Sequence, residues 1–310
     1  MSKLYPLKFT PIIKERVWGC ESWEISGVQD DISIVSEGFL SGNNLNDLVE
    51  IYLGDLVGDK VYEQFGNEFP ILIKTINIKE SLSLQMHPDD KTAIERHNSY
   101  GKTECWYILN SEPGAKIYLG LNKSLSAQEF YDNCNNGKIK DDLNVISPEK
   151  GTLIYIPPGT LHSASGGILV AEIQQVSDIT YRVYDWGREN NPETARETHI
   201  DLAIDCVNLN KTDSSDHINT KGEISTPYFN IQTKSINSDY NSEGNDIDTF
   251  IIFYICNGSA TILSGERMYT LNKGESILIP AHLGDFKIEG QCSLLEITPS
   301  VNQDPSSLFL

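Results

Sequence analysis

The chain has 310 residues, 39% of them hydrophobic, and a formal net charge of -20, which leaves room for one large domain or two of ordinary size with a packed core. The charge argues against nucleic acid as a partner, because a phosphate backbone needs a basic stripe, and an anionic small substrate would need a local Lys/Arg cluster set against the global field. No apolar run approaches the roughly 18 residues of a membrane span, and the N-terminal Met1-Ser2-Lys3-Leu4-Tyr5-Pro6 lacks the apolar core of a signal peptide, so a cytoplasmic protein is expected.

In chain order, Leu48–Gly54 reads as a short helix and Leu72–Ile78 as a strand. Gln85-Met86-His87-Pro88 follows a further strand-like run. Side chains alternate faces in a strand, so Gln85 and His87 point the same way before Pro88, which has no N–H to donate, ends the ladder. Cys105–Leu109 and Lys116–Leu119 read as strands. Ser126–Cys134 reads as a helix with Ser126 as N-cap and Glu129 three residues on. Thr152–Ile156 and Leu169–Gln175 are strands, and Glu193–Leu209 is a third helix. After a polar linker at Asn208–Glu223 come strands at Phe250–Cys256, Ser259–Leu263, Ser276–Ile279 and Leu294–Thr298. Many short strands separated by turn residues predict a mainly β chain, a sandwich or barrel. The cysteines, Cys20, Cys105, Cys134, Cys206, Cys256 and Cys292, form no Cys-x-x-Cys pair and read as reduced thiols.

One β unit occurs twice. Gly151-Thr-Leu-Ile-Tyr-Ile-Pro157 matches Gly274-Glu-Ser-Ile-Leu-Ile-Pro280, and upstream Trp106–Asn110 matches Phe253–Asn257. In this register Glu104 falls opposite Ile251 and His162 opposite Asp285. Isoleucine cannot bind a metal, so any metal site belongs to the first copy. Glu104 opens the strand Cys105–Leu109, and His162 lies just past a strand end after Pro157-Pro158-Gly159. With Gln85 and His87 they form a two-imidazole, one-carboxylate, one-amide set. That set suits Zn²⁺ with room for water or substrate, and also tolerates Fe²⁺, Mn²⁺ or Co²⁺. His97, His199, His217 and His282 have no partner at ligand spacing and read as ordinary histidines. Lys102, two residues before Glu104, shares its face in an extended segment. Arg182, between Asp178 and Asp185, reads either as salt-bridged or as a holder of an oxyanion or phosphate.

Five ordered motifs, Lys8-Phe9-Thr10-Pro11 with Val17-Trp18-Gly19, Gln85–Asp90, Gly101–Trp106, Pro157–His162 and Tyr181–Trp186, resemble the short bacterial form of type I mannose-6-phosphate isomerase, most strongly over residues 5–200. The resemblance implies a double cupin fold of two jelly-roll β-barrels with a few short helices, the second degenerate and metal-free. It implies a catalytic domain at residues 1-212 and a C-terminal cupin domain at 213-310. It further implies a zinc-dependent aldose–ketose isomerase that interconverts mannose 6-phosphate and fructose 6-phosphate through a cis-enediol. One Zn²⁺ per chain would be held by Gln85, His87, Glu104 and His162. Arg182 is carried over as the catalytic arginine, and Lys74, Ser83 and Lys102 as substrate-facing groups, with Lys74 or Lys102 offsetting the phosphate charge. Ser124–Asp142 is the only stretch available for the helical insertion of longer relatives. The expected partner is a phosphorylated hexose, with no nucleic acid and no membrane, in a monomer or homodimer. The alternatives are a non-catalytic sugar-binding cupin and a different metal-dependent cupin enzyme.

Overall fold

A computed structural model describes residues 4–242 and 248–301. The elements run β1 (Phe9–Thr10), β2 (Ile12–Arg16), β3 (Gly19–Ile25), β4 (Ile34–Val35), α1 (Leu45–Tyr52), α2 (Gly54–Val57), α3 (Asp59–Phe65), β5 (Ile71–Ile78), β6 (Leu84–Met86), α4 (Asp90–His97), β7 (Glu104–Ser111), β8 (Lys116–Leu121) and α5 (Ala127–Asn135). They continue with β9 (Leu143–Ile146), β10 (Leu153–Ile156), β11 (His162–Ser165), β12 (Ile168–Gln175), β13 (Tyr181–Tyr184), α6 (Ile200–Ala203), β14 (Ile218–Asn219), β15 (Glu223–Ser225), β16 (Phe229–Ile236), β17 (Asp239–Ser242), β18 (Ile251–Ser264), β19 (Arg267–Asn272), β20 (Ser276–Ile279) and β21 (Phe286–Pro299). The protein is thus mainly β with few helices, as the turn-punctuated sequence predicts. Among the described residues no helix is long and apolar enough to cross a membrane.

Two compact units result, and neither is continuous in sequence. One gathers Ile13–Ser22 and Lys74–Thr220; the other gathers residues 4–12, Trp23–Ile73 and the described residues from Lys221 to Val301. The first holds most of a seven-stranded sheet, order β14-β10-β7-β12-β5-β3-β2, and a five-stranded sheet, order β13-β6-β11-β8-β9. Trp106, Ile108, Ile154 and Ile156 of the larger sheet share one buried cluster with Ile117, Leu119 and Ala164 of the smaller. The sheets therefore pack face to face, as alternating strands require. On the outer face of the smaller sheet, Leu84, Met86, Tyr181 and Val183 pack with Phe130 of α5 and Ile200 and Ala203 of α6. Gln85, between Leu84 and Met86, and Arg182, between Tyr181 and Val183, consequently sit on the inner face.

The other unit holds the sheet β15-β16-β21-β18-β19, with β17 also on β21 and β20 also on β18. Its ladders repeat those of the first unit residue for residue. β10 on β7 pairs Ile154 with Trp106 and Ile156 with Glu104; β20 on β18 pairs Ile277 with Phe253 and Ile279 with Ile251. The third strand follows suit, with Glu172 opposite Trp106 and Glu296 opposite Phe253.

Three helix boundaries follow from their caps. Asn44 accepts from Asp47 N and Asp89 from Thr92 N, while Ser126 and Glu129 form the expected capping box. The helix expected at Leu48–Gly54 starts three residues earlier and is followed by α2 and α3, which the sequence reading did not separate. The helix expected over Glu193–Leu209 is confined to Ile200–Ala203. The preceding residues are spent instead on side-chain and backbone bonds to β13 and to the turn after it. Arg196 binds Asp185, and the Glu197 carbonyl accepts from Arg182.

Candidate metal centre

Four residues from three strands and their ends converge on one buried point. β6 supplies Gln85, its end supplies His87, the first residue of β7 is Glu104, and the first of β11 is His162, which lies opposite Gln85 in the ladder. His162 thus begins a strand, where the sequence reading placed it just past one. His87, Glu104 and His162 are all buried, with potential ligand atoms within 4.8 Å of one another. His87 Nε2 lies 3.3 Å from Glu104 Oε2, and His162 Nε2 lies 3.2 Å from Glu104 Oε1. Gln85 Nε2 is 3.3 Å from His162 Nε2. Half a turn of that amide brings Oε1 to the same place, and the Ser83 hydroxyl, 3.2 Å from the amide oxygen, can serve either orientation by donating or accepting.

Imidazole tautomers make the case for a cation. His87 Nδ1 is 2.8 Å from the Ile179 carbonyl and His162 Nδ1 is 2.9 Å from the Thr160 carbonyl. A carbonyl only accepts, so each Nδ1 carries a proton, and a neutral ring then presents a lone pair at Nε2. Burial, then the neighbouring Lys102, pushes the His87 pKa down to about 3, which keeps the ring neutral. Two lone pairs therefore face one carboxylate. Burial drives the Glu104 carboxyl up, but the charged Lys102 beside it leads the groups that outweigh this and hold it well below the usual range. Glu104 Oε1 is buried and receives no hydrogen bond from any described residue. Unpaired acceptors this deep are costly unless a cation joins them. Lys102 meets part of that need: its Nζ is 2.6 Å from Glu104 Oε2 and 3.1 Å from His87 Nε2. Glu104 Oε1 keeps its deficit. The donor set fits a divalent ion such as Zn²⁺.

The remaining expected residues are placed as follows. Lys102 shares the Glu104 face, as its spacing requires. Burial lowers its pKa, but Glu104 and Glu172 outweigh that and raise it, so it stays charged. Lys74 is buried and bonded to Glu172 Oε1 at 3.1 Å and to Gln174 Oε1 at 2.7 Å. Both ammonium groups are thus tied to carboxylates. Arg182 pairs with Gln85 in the β13–β6 ladder, so Arg182, Gln85 and His162 form one row across three strands. Its guanidinium does not join the cluster; Nη1 donates to the Glu197 carbonyl, 2.7 Å away.

Some supporting groups were not singled out by the sequence. Trp106 Nε1 donates to Glu172 Oε2 at 2.8 Å, and its ring meets His162 edge-on at 5.6 Å. The alternation in β7 already put Trp106 on the Glu104 face and could have revealed it. The Ile179 and Thr160 carbonyls leave no sequence signal, because any residue supplies one. His97, His199, His217 and His282 lie outside the cluster. His97 Nε2 is bonded to the Tyr181 hydroxyl, His199 Nδ1 to the Arg182 N–H, His217 Nδ1 to the Tyr155 carbonyl and His282 Nδ1 to Asp55.

Comparison with known proteins agrees over nearly the whole chain. The family model for the catalytic domain of type I phosphomannose isomerase matches residues 7–119, and that for the mannose-6-phosphate isomerase cupin domain matches 219–299. A mannose-6-phosphate isomerase of Bacillus subtilis (strain 168) is 30% identical over 92% of this chain and 96% of its own length. A putative mannose-6-phosphate isomerase of the same strain is 32% identical over 94% of this chain and 98% of its own. The crystal structure of the mannose 6-phosphate isomerase from Bacillus subtilis superposes with a TM-score of 0.81 at 30% identity, covering 95% of this chain and 99% of that one. A putative mannosephosphate isomerase from Archaeoglobus fulgidus shares the fold at a TM-score of 0.82 and 21% identity, over 97% and 100% of the two chains. With full-length similarity at this level and a cupin-family fold, the chain belongs to the type I mannose-6-phosphate isomerase family.

Proposed function

We propose that the protein is a zinc-dependent aldose–ketose isomerase interconverting mannose 6-phosphate and fructose 6-phosphate, with one Zn²⁺ per chain held by Gln85, His87, Glu104 and His162. The observation that carries this reading is the pair of Nε2 atoms, each in a ring whose Nδ1 is tied to a carbonyl, converging on a buried carboxylate in a chain of this family. When bound, the ion would supply Lewis-acid stabilisation of oxygen charge at C1 and C2, worth several kcal/mol.

The chain's own residues do the rest. Exchange between C1 and C2 removes a proton next to a carbonyl and returns it to the neighbouring carbon, through a cis-enediol. Arg182 places a fixed positive charge where oxygen charge develops, on the inner face and in the same row as Gln85 and His162. Lys102 and Ser83 orient Glu104 and Gln85 and offer donors toward sugar hydroxyls. Lys74 and Trp106 fix both oxygens of Glu172, which makes it a stationary charge beside the site rather than a freely moving proton carrier.

The two units are read as two cupin barrels. The second is degenerate and metal-free, since Ile251 occupies the ladder position of Glu104. All proposed functional residues fall in residues 1-212 and none in 213-310. A cytoplasmic monomer or homodimer belongs to the same proposal. The test is conversion of mannose 6-phosphate to fructose 6-phosphate with and without a chelator. Absence of conversion by the metal-replete protein would sink the reading.

A further inference from the structure

β13 is an edge strand: it pairs with β6, and among the described residues no strand lies on its other side. An edge strand turns the N–H and C=O groups of alternate residues away from the sheet, and these need partners. At Arg182 one residue supplies both. The His199 N–H donates to the Arg182 carbonyl at 2.7 Å, and the Arg182 N–H donates to His199 Nδ1 at 3.2 Å. A single residue thus stands in for a neighbouring strand, with its ring nitrogen in the place of a carbonyl. Two residues earlier, the Glu197 carbonyl accepts from Arg182 Nη1 at 2.7 Å. The segment therefore holds Arg182 at three atoms, two on its backbone and one on its guanidinium.

The segment is itself fixed on both sides. His199 precedes α6, and its carbonyl accepts from Leu202 N at 3.1 Å and Ala203 N at 2.9 Å. Ile200 and Ala203 are buried with Tyr181 and Val183, on the face of β13 opposite to Arg182. Upstream, Arg196 Nη2 bonds Asp185 Oδ1 at 2.6 Å. The outer-face core thus fixes a segment that in turn holds a side chain on the inner face. Electrostatic stabilisation depends on a charge already in place when substrate charge develops, so what holds Arg182 bears on turnover. The backbone contacts could come from any residue. The ring contact could not. An Nδ1 that accepts from an amide carries no proton, so a neutral ring keeps its proton on Nε2, the reverse of His87 and His162. Burial, then the charge of Arg182, lowers the His199 pKa, which leaves the ring neutral at about pH 7.

We propose that His199 is a positioning residue for catalysis: its Nδ1 locks the backbone of Arg182 and so sets where the guanidinium stands. The inference rests on the isomerase reading, with Arg182 as the arginine that meets the developing charge, and adds how that arginine is held.

The test compares His199→Phe, which keeps a ring and removes the acceptor, with His199→Asn, whose Oδ1 can take the place of Nδ1. Both are assayed with mannose 6-phosphate, with bound metal and melting temperature recorded. The Phe variant should lose about tenfold in kcat, the worth of one hydrogen bond, with KM changed by less than about twofold and metal retained. The Asn variant should recover most of that loss. A measurement on the wild-type protein stands beside these. Long-range ¹H–¹⁵N correlation of the His199 ring, assigned by its loss in the Asn variant, should show Nδ1 unprotonated and Nε2 protonated at about pH 7. A folded Phe variant within about twofold of wild type in kcat, an Asn variant as impaired as the Phe variant, or a protonated Nδ1 overturns the proposal. Failure of the wild-type protein to isomerise the sugar would instead overturn the isomerase reading, so the two failures are told apart.

Discussion

The two repeat copies share a ladder and differ in what it holds. At the position where β7 presents Glu104, β18 presents Ile251, yet the neighbouring pairs, Trp106 with Ile154 and Phe253 with Ile277, are in the same register. The copies also keep a lysine–glutamate pair on equivalent strands. Lys74 binds Glu172 in the first, and Lys234 binds Glu296 in the second, at 2.5 Å. Register is set by the alternation of buried side chains, which both copies satisfy. The candidate metal-binding cluster is therefore an addition to the shared ladder, and the lysine–glutamate pair is common to both copies.

The strongest way to break this comparison is to give the first copy the second's residue. Glu104→Ile should abolish stoichiometric metal binding and turnover. It should also destabilise the protein by about 3–5 kcal/mol, because Lys102 is left buried without its carboxylate. The position two residues before Ile251 is Thr249, so Lys102→Thr combined with Glu104→Ile copies the second unit. Denaturant unfolding should show much of the lost stability restored while activity stays absent. A double variant no more stable than the single one would mean that the copies are not interchangeable at this point. Arg182→Ala should retain metal and lose about 10²–10³ in kcat; an unchanged kcat with a raised KM would make Arg182 a binding residue. Lys74→Met should cost about 3 kcal/mol because it strands a buried carboxylate. Lys234→Met should cost at most about 1 kcal/mol, its pair being partly open to solvent. Equal losses would show that the two pairs are not distinguished by burial.

The last expectation is a pH slope. The folded-state pKa of His87 is about 3, against an ordinary 6.5. In the metal-free protein the unfolded chain takes up this proton below about pH 6.5 while the folded chain does not. Stability should therefore fall as pH drops from about 6.5 toward 3, by up to about 1.4 kcal/mol per pH unit from this group. Glu104, held below the ordinary 4.5, adds a loss of the same sign at lower pH. Melting temperatures of the metal-free protein across this range check the slope. The Glu104→Ile, Lys102→Thr variant should lose the Glu104 part.

Much of this was legible in the sequence. Two-residue alternation put Lys102 with Glu104, and the glycine-to-proline repeat gave a register that the ladders match. Ser126 and Glu129 announced their helix because a capping box is a local signal. Other elements had no such signal. α4 buries only Ala93, so it shows no apolar stripe, and its cap Asp89 hides behind Pro88. The helix expected at Glu193–Leu209 shrank because Arg196 and Glu197 are held by Asp185 and Arg182, partners 11 and 15 residues away that only the folded chain brings close. The carbonyls that fix the two imidazole tautomers are invisible for a simpler reason: every residue has one.

The central claim is that catalysis resides in a metal held by Gln85, His87, Glu104 and His162 of the first copy alone. The most direct test follows mannose 6-phosphate conversion and metal content together through exhaustive chelation and readdition of Zn²⁺. The account predicts that activity falls in proportion to metal, reaches zero with the last equivalent, and returns at one equivalent per chain. Full activity after the metal has gone would contradict it.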